Sequence, residues 1–307
     1  MEAKRVPGPP HFFIVGAPKC GTTSMAQYLN QHPEVFVLRG EPHFFGSDIA
    51  YNSPRLTRSQ YLKLCRNTGG KPVVGDRSTW YLYSARAAEE IHAFNPQARI
   101  VAMLRNPADM VYSLHRHHVL RGARDDLEHL EDALAAEPER RRGRRIPSNA
   151  RFRASLFYSE VPRYAEQLQR YFDRFGRDRV HVILLDDLKR DPAGTYARTL
   201  RFLGVDADFR ADFRVHNVAG PAPDSLLYRA WKASTLRYRI RSAVPQRLYS
   251  TIREQRRRRL QRRAGHRPGD RLEPELRRRL QSDFAGEIDR LERLLDRDLA
   301  GWRGEGN

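Results

Sequence analysis

Five short apolar runs stand out from an otherwise polar chain: Phe12–Val15, Val35–Leu38, Pro72–Gly75, Arg99–Leu104 and Val180–Leu185. Each has the length and branched or aromatic content of a buried strand. Between them the apolar residues change to helical spacing. Helices are expected from Met25 onward, around Arg58 to Cys65 with Gly69-Gly70 behind it, over residues 84 to 94 before Asn95-Pro96, and from Pro107 onward. Leu156, Val161, Tyr164, Leu168, Tyr171, Phe172 and Phe175 recur at helical intervals across Phe152 to Phe175, which reads as core helix closed by Gly176. Near the end, Leu276, Leu280, Phe284, Ile288, Leu291, Leu295 and Leu299 step by three and four, predicting one amphipathic helix packed on the sheet.

The first run leads into Gly16-Ala17-Pro18-Lys19-Cys20-Gly21-Thr22-Thr23-Ser24, a strand, tight loop and helix start. A helix N-terminus turns unpaired N–H groups and positive dipole toward a bound anion. Gly16 and Gly21 keep the spacing of the P-loop pattern GxxxxGK[ST], yet Thr22 stands where its lysine belongs and Lys19 lies inside the loop. The usual lysine, hydroxyl and magnesium arrangement is therefore not spelled out, which favours an anion site without an obligatory metal.

This loop resembles the 5′-phosphosulfate loop of the sulfotransferases that use 3′-phosphoadenosine 5′-phosphosulfate (PAPS), in particular bacterial members and the domains acting on heparan sulfate. The resemblance implies that residues Ala17, Pro18, Lys19, Cys20, Gly21, Thr22, Thr23 and Ser24 hold the donor. It extends to Arg105-Asn106-Pro107-Ala108-Asp109 with Ser113 behind, similar to the family's 3′-phosphate element, in which Arg105 and Ser113 would grip the ribose phosphate. Arg39-Gly40-Glu41-Pro42-His43-Phe44-Phe45 is similar to the segment carrying the family's catalytic glutamate, so Glu41 is the general-base candidate. Pro42 keeps Glu41 out of a helix and places it at a strand end or in a loop. As an ordinary side chain Glu41 would pair with Arg39 at the surface, and His43 is the rival base. Asp76-Arg77-Ser78-Thr79-Trp80 is similar to a lysine-bearing element of the glycan-acting members. Arg77 replaces that lysine, to touch the sulfuryl group or acceptor or else to pair with Asp76. Of the basic residues that would cover the cofactor, Arg267 and Arg271 are the candidates.

The resemblance continues through Asp186-Asp187-Leu188, Asp191-Pro192 and the helix ending Phe202-Leu203-Gly204. Asp186 and Asp187 read as capping and tethering groups. It implies a three-layer, P-loop-like α/β fold with a central, mostly parallel sheet flanked by helices, in one domain over residues 11–302 between a short extension, 1–10, and a tail, 303–307.

Charge adds breadth rather than choice. With 56 Lys and Arg against 37 Asp and Glu, the formal net charge is +19, a field that draws nucleotides, nucleic acid, acidic glycans and anionic lipid alike. The family resemblance implies that the run Arg140–Arg145 lies in a mobile loop bordering the acceptor cleft, and the run Arg253–Arg263, in a basic helical region at about 237–263, reads as a collar or solvated cover, with peripheral contact to an anionic membrane as one use. His115, His117 and His118 lack metal-ligand partners and do not share a helix face, so a solvated surface is expected and no metal site is assigned. Cys20 and Cys65 cannot build a disulfide framework. Residues 1–10 lack a signal peptide's apolar segment, and no run approaches the roughly 18 apolar residues of a membrane span. A soluble, cytoplasmic protein is expected.

The expected activity is sulfuryl transfer from PAPS, without a metal, to a hydroxyl or amine of a glycan, glycolipid or secondary metabolite. Two other classes stay in view. A nucleic-acid binder is suggested by charge alone but lacks interleaved aromatics, and a magnesium-dependent small-molecule kinase is disfavoured by the displaced lysine.

Overall fold

The computed structural model describes residues 9–51, 54–120, 124–213 and 272–304. These divide into two compact units, each gathered from separate stretches of chain. The basic region 237–263, with Arg267 and Arg271, lies outside the described residues.

The first unit takes residues 9–48, Arg55–Arg105 and 166–213 and contains the sheet. Its strands are β1 (Phe12–Gly16), β2 (Val35–Val37), β3 (Val73–Arg77), β4 (Arg99–Leu104) and β5 (Val180–Leu184). They lie in the order β2-β3-β1-β4-β5, and every pairing is parallel. A parallel pair cannot be closed by a hairpin, so crossovers are required. Helices α1 (Thr22–Gln31), α2 (Arg58–Arg66) and α3 (Ala87–Phe94) supply the early ones. Helix α7 (Tyr164–Phe175) precedes β5, and α8 (Leu185–Arg190) and α9 (Pro192–Leu203) follow it. All five residues of β1 are buried, as a central strand covered on both faces demands. The expected parallel α/β sheet flanked by helices is the one observed.

The chain leaves β1 for strands on one side of it and later crosses to β4 on the other, so the carboxyl end of β1 is the switch point where open α/β sheets take their ligands. Glycine makes the tight places there possible. A Cβ on Gly75 would lie 2.2 Å from the Phe12 ring, so the bare backbone of β3 is what lets that ring lie flat beside it. At the far end of α1, Lys71 Nζ donates to the carbonyls of Asn30 and His32, which the helix end leaves open, at 2.8 and 2.7 Å, and to that of Val35 at the start of β2 at 3.1 Å.

The second unit takes Ile49–Pro54, Asn106–Ala165 and residues 272–304. It holds α4 (Pro107–Leu120), α5 (Leu130–Ala135), α6 (Glu137–Arg141), a 3₁₀ turn (Arg153–Leu156) and the C-terminal helices α10 (Pro274–Asp283), α11 (Ala285–Leu295) and α12 (Ala300–Arg303). The histidine cluster is not a solvated surface: His115 and His118 are 2% and 1% exposed. His118 Nδ1 meets the Tyr158 hydroxyl at 3.1 Å, which itself donates to Asp125 Oδ2 at 2.7 Å. Arg140 donates to both oxygens of that aspartate at 3.0 and 2.6 Å, and both side chains are fully buried. The arginine run is thus divided. Arg140 is a core residue, whereas Arg141 pairs with Glu137 and Glu160, and Arg142 and Arg144 pair with Glu139.

Two expected helices are broken. The stretch Phe152–Phe175 is a 3₁₀ turn followed by turns and then α7, because Pro162 has no N–H to donate and holds the residue before it out of helical geometry. Its seven apolar positions are nonetheless all buried. The C-terminal pattern is split at Phe284, which closes α10 and opens α11, and α10 is tied to α4 by Arg277 and Asp109 at 2.7 Å.

Candidate active site

The loop Ala17–Gly21 leaves the carboxyl end of β1 and enters α1. Ala17 N–H donates to Met103 O at 2.6 Å, fastening the loop to β4. Lys19 has a φ of 67° and Gly21, the N-cap of α1, a φ of 85°. Such left-handed turns direct successive N–H groups into one concavity, an anion nest. A Cβ on Gly21 would also meet Leu185 at 2.8 Å, so glycine is required there by conformation and by space. No side chain caps the N-terminus of α1 and no acidic residue stands in its first turn, leaving that end suited to an anion. Thr22 is buried, while Lys19, Thr23 and Ser24 are half-buried.

Glu41 follows β2 in an irregular segment, and its carboxylate is met from three sides. Arg77 Nη1, at the end of β3, donates to Oε1 at 2.8 Å. His43 Nε2 lies 2.9 Å from Oε2, and Thr79 Oγ1 donates to the same oxygen at 3.3 Å. Arg77 also reaches Thr23 Oγ1 in the first turn of α1, at 3.4 Å, and Gly40 O, at 3.2 Å. One guanidinium therefore touches both the general-base candidate and the first turn of α1. Beside the pairings weighed from sequence for these two residues, Glu41 with Arg39 and Arg77 with Asp76, the structure shows a third, Glu41 with Arg77.

The segment carrying Glu41 rests on a buried hydroxyl cluster that sequence reading did not find. His43 N–H donates to Ser78 Oγ at 3.1 Å, and Phe44 N–H to the Tyr81 hydroxyl at 2.9 Å. Ser78 and Tyr81 in turn donate to Asp76 at 2.9 and 3.0 Å, as does Tyr61 at 2.8 Å. Burial pushes the Asp76 carboxyl up to about 6 against the pull of these hydroxyls and of Arg77. Further along, Glu90 of α3 accepts from Gly46 N–H at 2.7 Å, and Phe44 stacks on Tyr61 with centroids 4.3 Å apart. The signal for the cluster was the unbroken run Asp76-Arg77-Ser78-Thr79 at a strand end, whose alternate side chains face opposite ways.

Arg105 is half-buried just past the carboxyl end of β4 and belongs to the first unit. Ser113 is half-buried on α4 of the second. Asp186 and Asp187 occupy the first turn of α8, where Asp186 faces Lys189 at 3.6 Å. Among the described residues no three His, Cys, Asp or Glu side chains are grouped to hold a metal ion. No described helix is long and apolar enough to cross a membrane.

Residues 9–219 match the sulfotransferase domain family. The chain belongs to that family. The chain is 30% identical in sequence to a sulfotransferase from Alicyclobacillus acidocaldarius of known crystal structure, with a TM-score of 0.71 over 96% of this chain and 99% of that one. It is 26% identical to human heparan sulfate glucosamine 3-O-sulfotransferase 6, across 64% of this chain and 52% of the relative. It is also 26% identical to human bifunctional heparan sulfate N-deacetylase/N-sulfotransferase 2, across 64% of this chain and 22% of the relative. The chain thus spans about half or less of the length of these two relatives.

Proposed function

We propose that this sulfotransferase transfers the sulfuryl group of PAPS to a hydroxyl or amine of a carbohydrate-like acceptor. The observation that carries the reading is the Arg77 bridge, 2.8 Å from the Glu41 carboxylate and 3.4 Å from the Thr23 hydroxyl, which joins a base to an anion-binding loop. PAPS supplies the sulfuryl group, whose bond from sulfur to the 5′-phosphate oxygen breaks as the acceptor atom bonds to sulfur. The residues fit such a donor: a loop with two left-handed turns, an uncapped helix end and a lysine.

In this reading Glu41 accepts the acceptor's proton, and Arg77 and His43 orient its carboxylate. Lys19 and the N–H groups at the start of α1 stabilise negative charge on the departing 5′-phosphate. Arg105 takes the 3′-phosphate by forked hydrogen bonds, and Ser113 is assigned to it from the sequence motif. The heparan sulfate relatives support a carbohydrate acceptor, and the net charge of +19 suits an acidic one.

The test is transfer of labelled sulfate from PAPS to heparan sulfate, a glycolipid and a simple phenol, with calorimetry on adenosine 3′,5′-bisphosphate. Labelling of the glycan and binding of the bisphosphate are expected. Lys19→Ala should lower turnover about 100-fold or more, the scale on which removing one stabilising donor acts. Turnover of ATP that EDTA abolishes, without bisphosphate binding, would overturn the reading.

A further inference from the structure

We infer that Asp76 is a positioning residue of the transfer reaction, orienting the Glu41–Phe45 segment through the hydroxyls of Ser78 and Tyr81. The inference deepens the proposed function and rests on Glu41 acting within it. Asp76 is fully buried one residue before the end of β3, and its carboxylate is hydrogen-bonded to Tyr61, Ser78 and Tyr81.

A hydroxyl has one proton to give and can accept on its remaining lone pairs. An ionised Asp76 accepts from Ser78 on Oδ1 and from Tyr61 and Tyr81 on Oδ2. With their protons committed inward, Ser78 and Tyr81 present lone pairs outward. The N–H groups of His43 and Phe44 occupy them at 3.1 and 2.9 Å, and Phe45 N–H points to the Tyr81 hydroxyl at 3.4 Å. The charge thus fixes the direction of each bond in the chain from carboxylate to hydroxyl to amide.

The segment needs such a fixture. His43 has a φ of 50°, a left-handed conformation that a β-carbon makes costly, and neighbours must hold it there. That conformation brings the His43 ring back onto Glu41, 2.9 Å from Oε2. The structure therefore spends a buried carboxylate on the backbone immediately beyond the base. Its ionisation is opposed by burial, and the groups facing it are Tyr61 and Cys65 from α2, Tyr81 and Ser78 beyond β3, and Arg77 alongside. Cys65, held up at about 12, and the two tyrosines, raised well above their ordinary value by burial, stay neutral and leave the carboxylate the charge of this cluster.

The experiment uses the full chain with labelled PAPS and heparan sulfate as acceptor, and hydrogen exchange read on a peptide covering residues 41–46. Asp76→Asn keeps the size of the side chain but turns one acceptor into a donor. It should lower kcat about 30- to 100-fold, the scale of a small misplacement of a reacting group. The dissociation constant for adenosine 3′,5′-bisphosphate should stay within about threefold of the wild type, since the phosphate loop is built separately. Exchange should rise in peptide 41–46 and not over residues 16–24. Tyr81→Phe tests the same chain if Asp76→Asn fails to fold, and where both fold the double variant should be no slower than the slower single one, because the two act as a unit. A kcat for Asp76→Asn within about threefold of the wild type, or unchanged exchange in 41–46, overturns the inference whatever Glu41→Gln does. Wild-type turnover in Glu41→Gln instead overturns the base assignment, and the exchange readout then decides for or against the role of Asp76 independently.

Discussion

At the scale of single residues, the site is a set of bonds around one carboxylate. With Glu41 as the proposed base, Glu41→Gln preserves shape and most contacts but cannot take a proton, so turnover should fall by about 10²- to 10⁴-fold. Bisphosphate affinity by calorimetry should be unchanged. A fall in affinity matching the fall in turnover would place Glu41 in donor binding instead. Much of this was legible in the sequence, because Lys19, Glu41 and Arg77 lie in short motifs that fix residue type and order. The partners were not. Whether Arg77 turns to its neighbour Asp76 or to a residue 36 positions away depends on strand direction and on the left-handed turn at His43, which local pattern does not encode. Asp76 was weighed only as a partner for Arg77, for the related reason that an aspartate at a strand end looks like surface until its burial is known.

At the scale of elements, the five strands were readable because buried parallel strands are continuous apolar runs, and each one was found within a residue or two. Helix continuity was less readable. Periodic apolar positions survive across a break, so the pattern over Phe152–Phe175 and that over Leu276–Leu299 each looked like one helix while each is divided. The buried histidines of α4 were misjudged because polarity argued for solvent, whereas Tyr158 and the Leu127 carbonyl supply the hydrogen bonds that permit burial. A sharp test of packing belongs to β3. Gly75→Ala puts a methyl group into the Phe12 ring, 2.2 Å away where nothing can fit, and should destabilise the fold by about 1–3 kcal/mol or more. A lowered urea midpoint with an unchanged slope is the expected record, and an unaltered midpoint would mean that ring and strand can separate freely.

At the scale of the whole molecule, buried histidines set the response to acid. Burial lowers the proton affinity of His11, His115 and His118, and takes His181 down to about 4. A histidine whose folded value is depressed leaves stability intact above its ordinary value and withdraws it as the pH falls toward the folded value. Asp76, raised to about 6, acts with the opposite sign, since its charged form opposes folding and its protonation favours it. Four histidines against one aspartate predict a net loss, so the urea midpoint should drop between about pH 6.5 and pH 4. A midpoint that rises over that interval would show that Asp76 outweighs them. Connectivity adds a constraint of another kind. The chain passes from one unit to the other after residues 48, 54, 105 and 165 and once more between residues 213 and 272, so each is stitched from distant lengths of the polypeptide. Any single cut leaves segments of both units on at least one fragment, so neither can be taken away from the other by one cleavage and the two have to be expressed and engineered together.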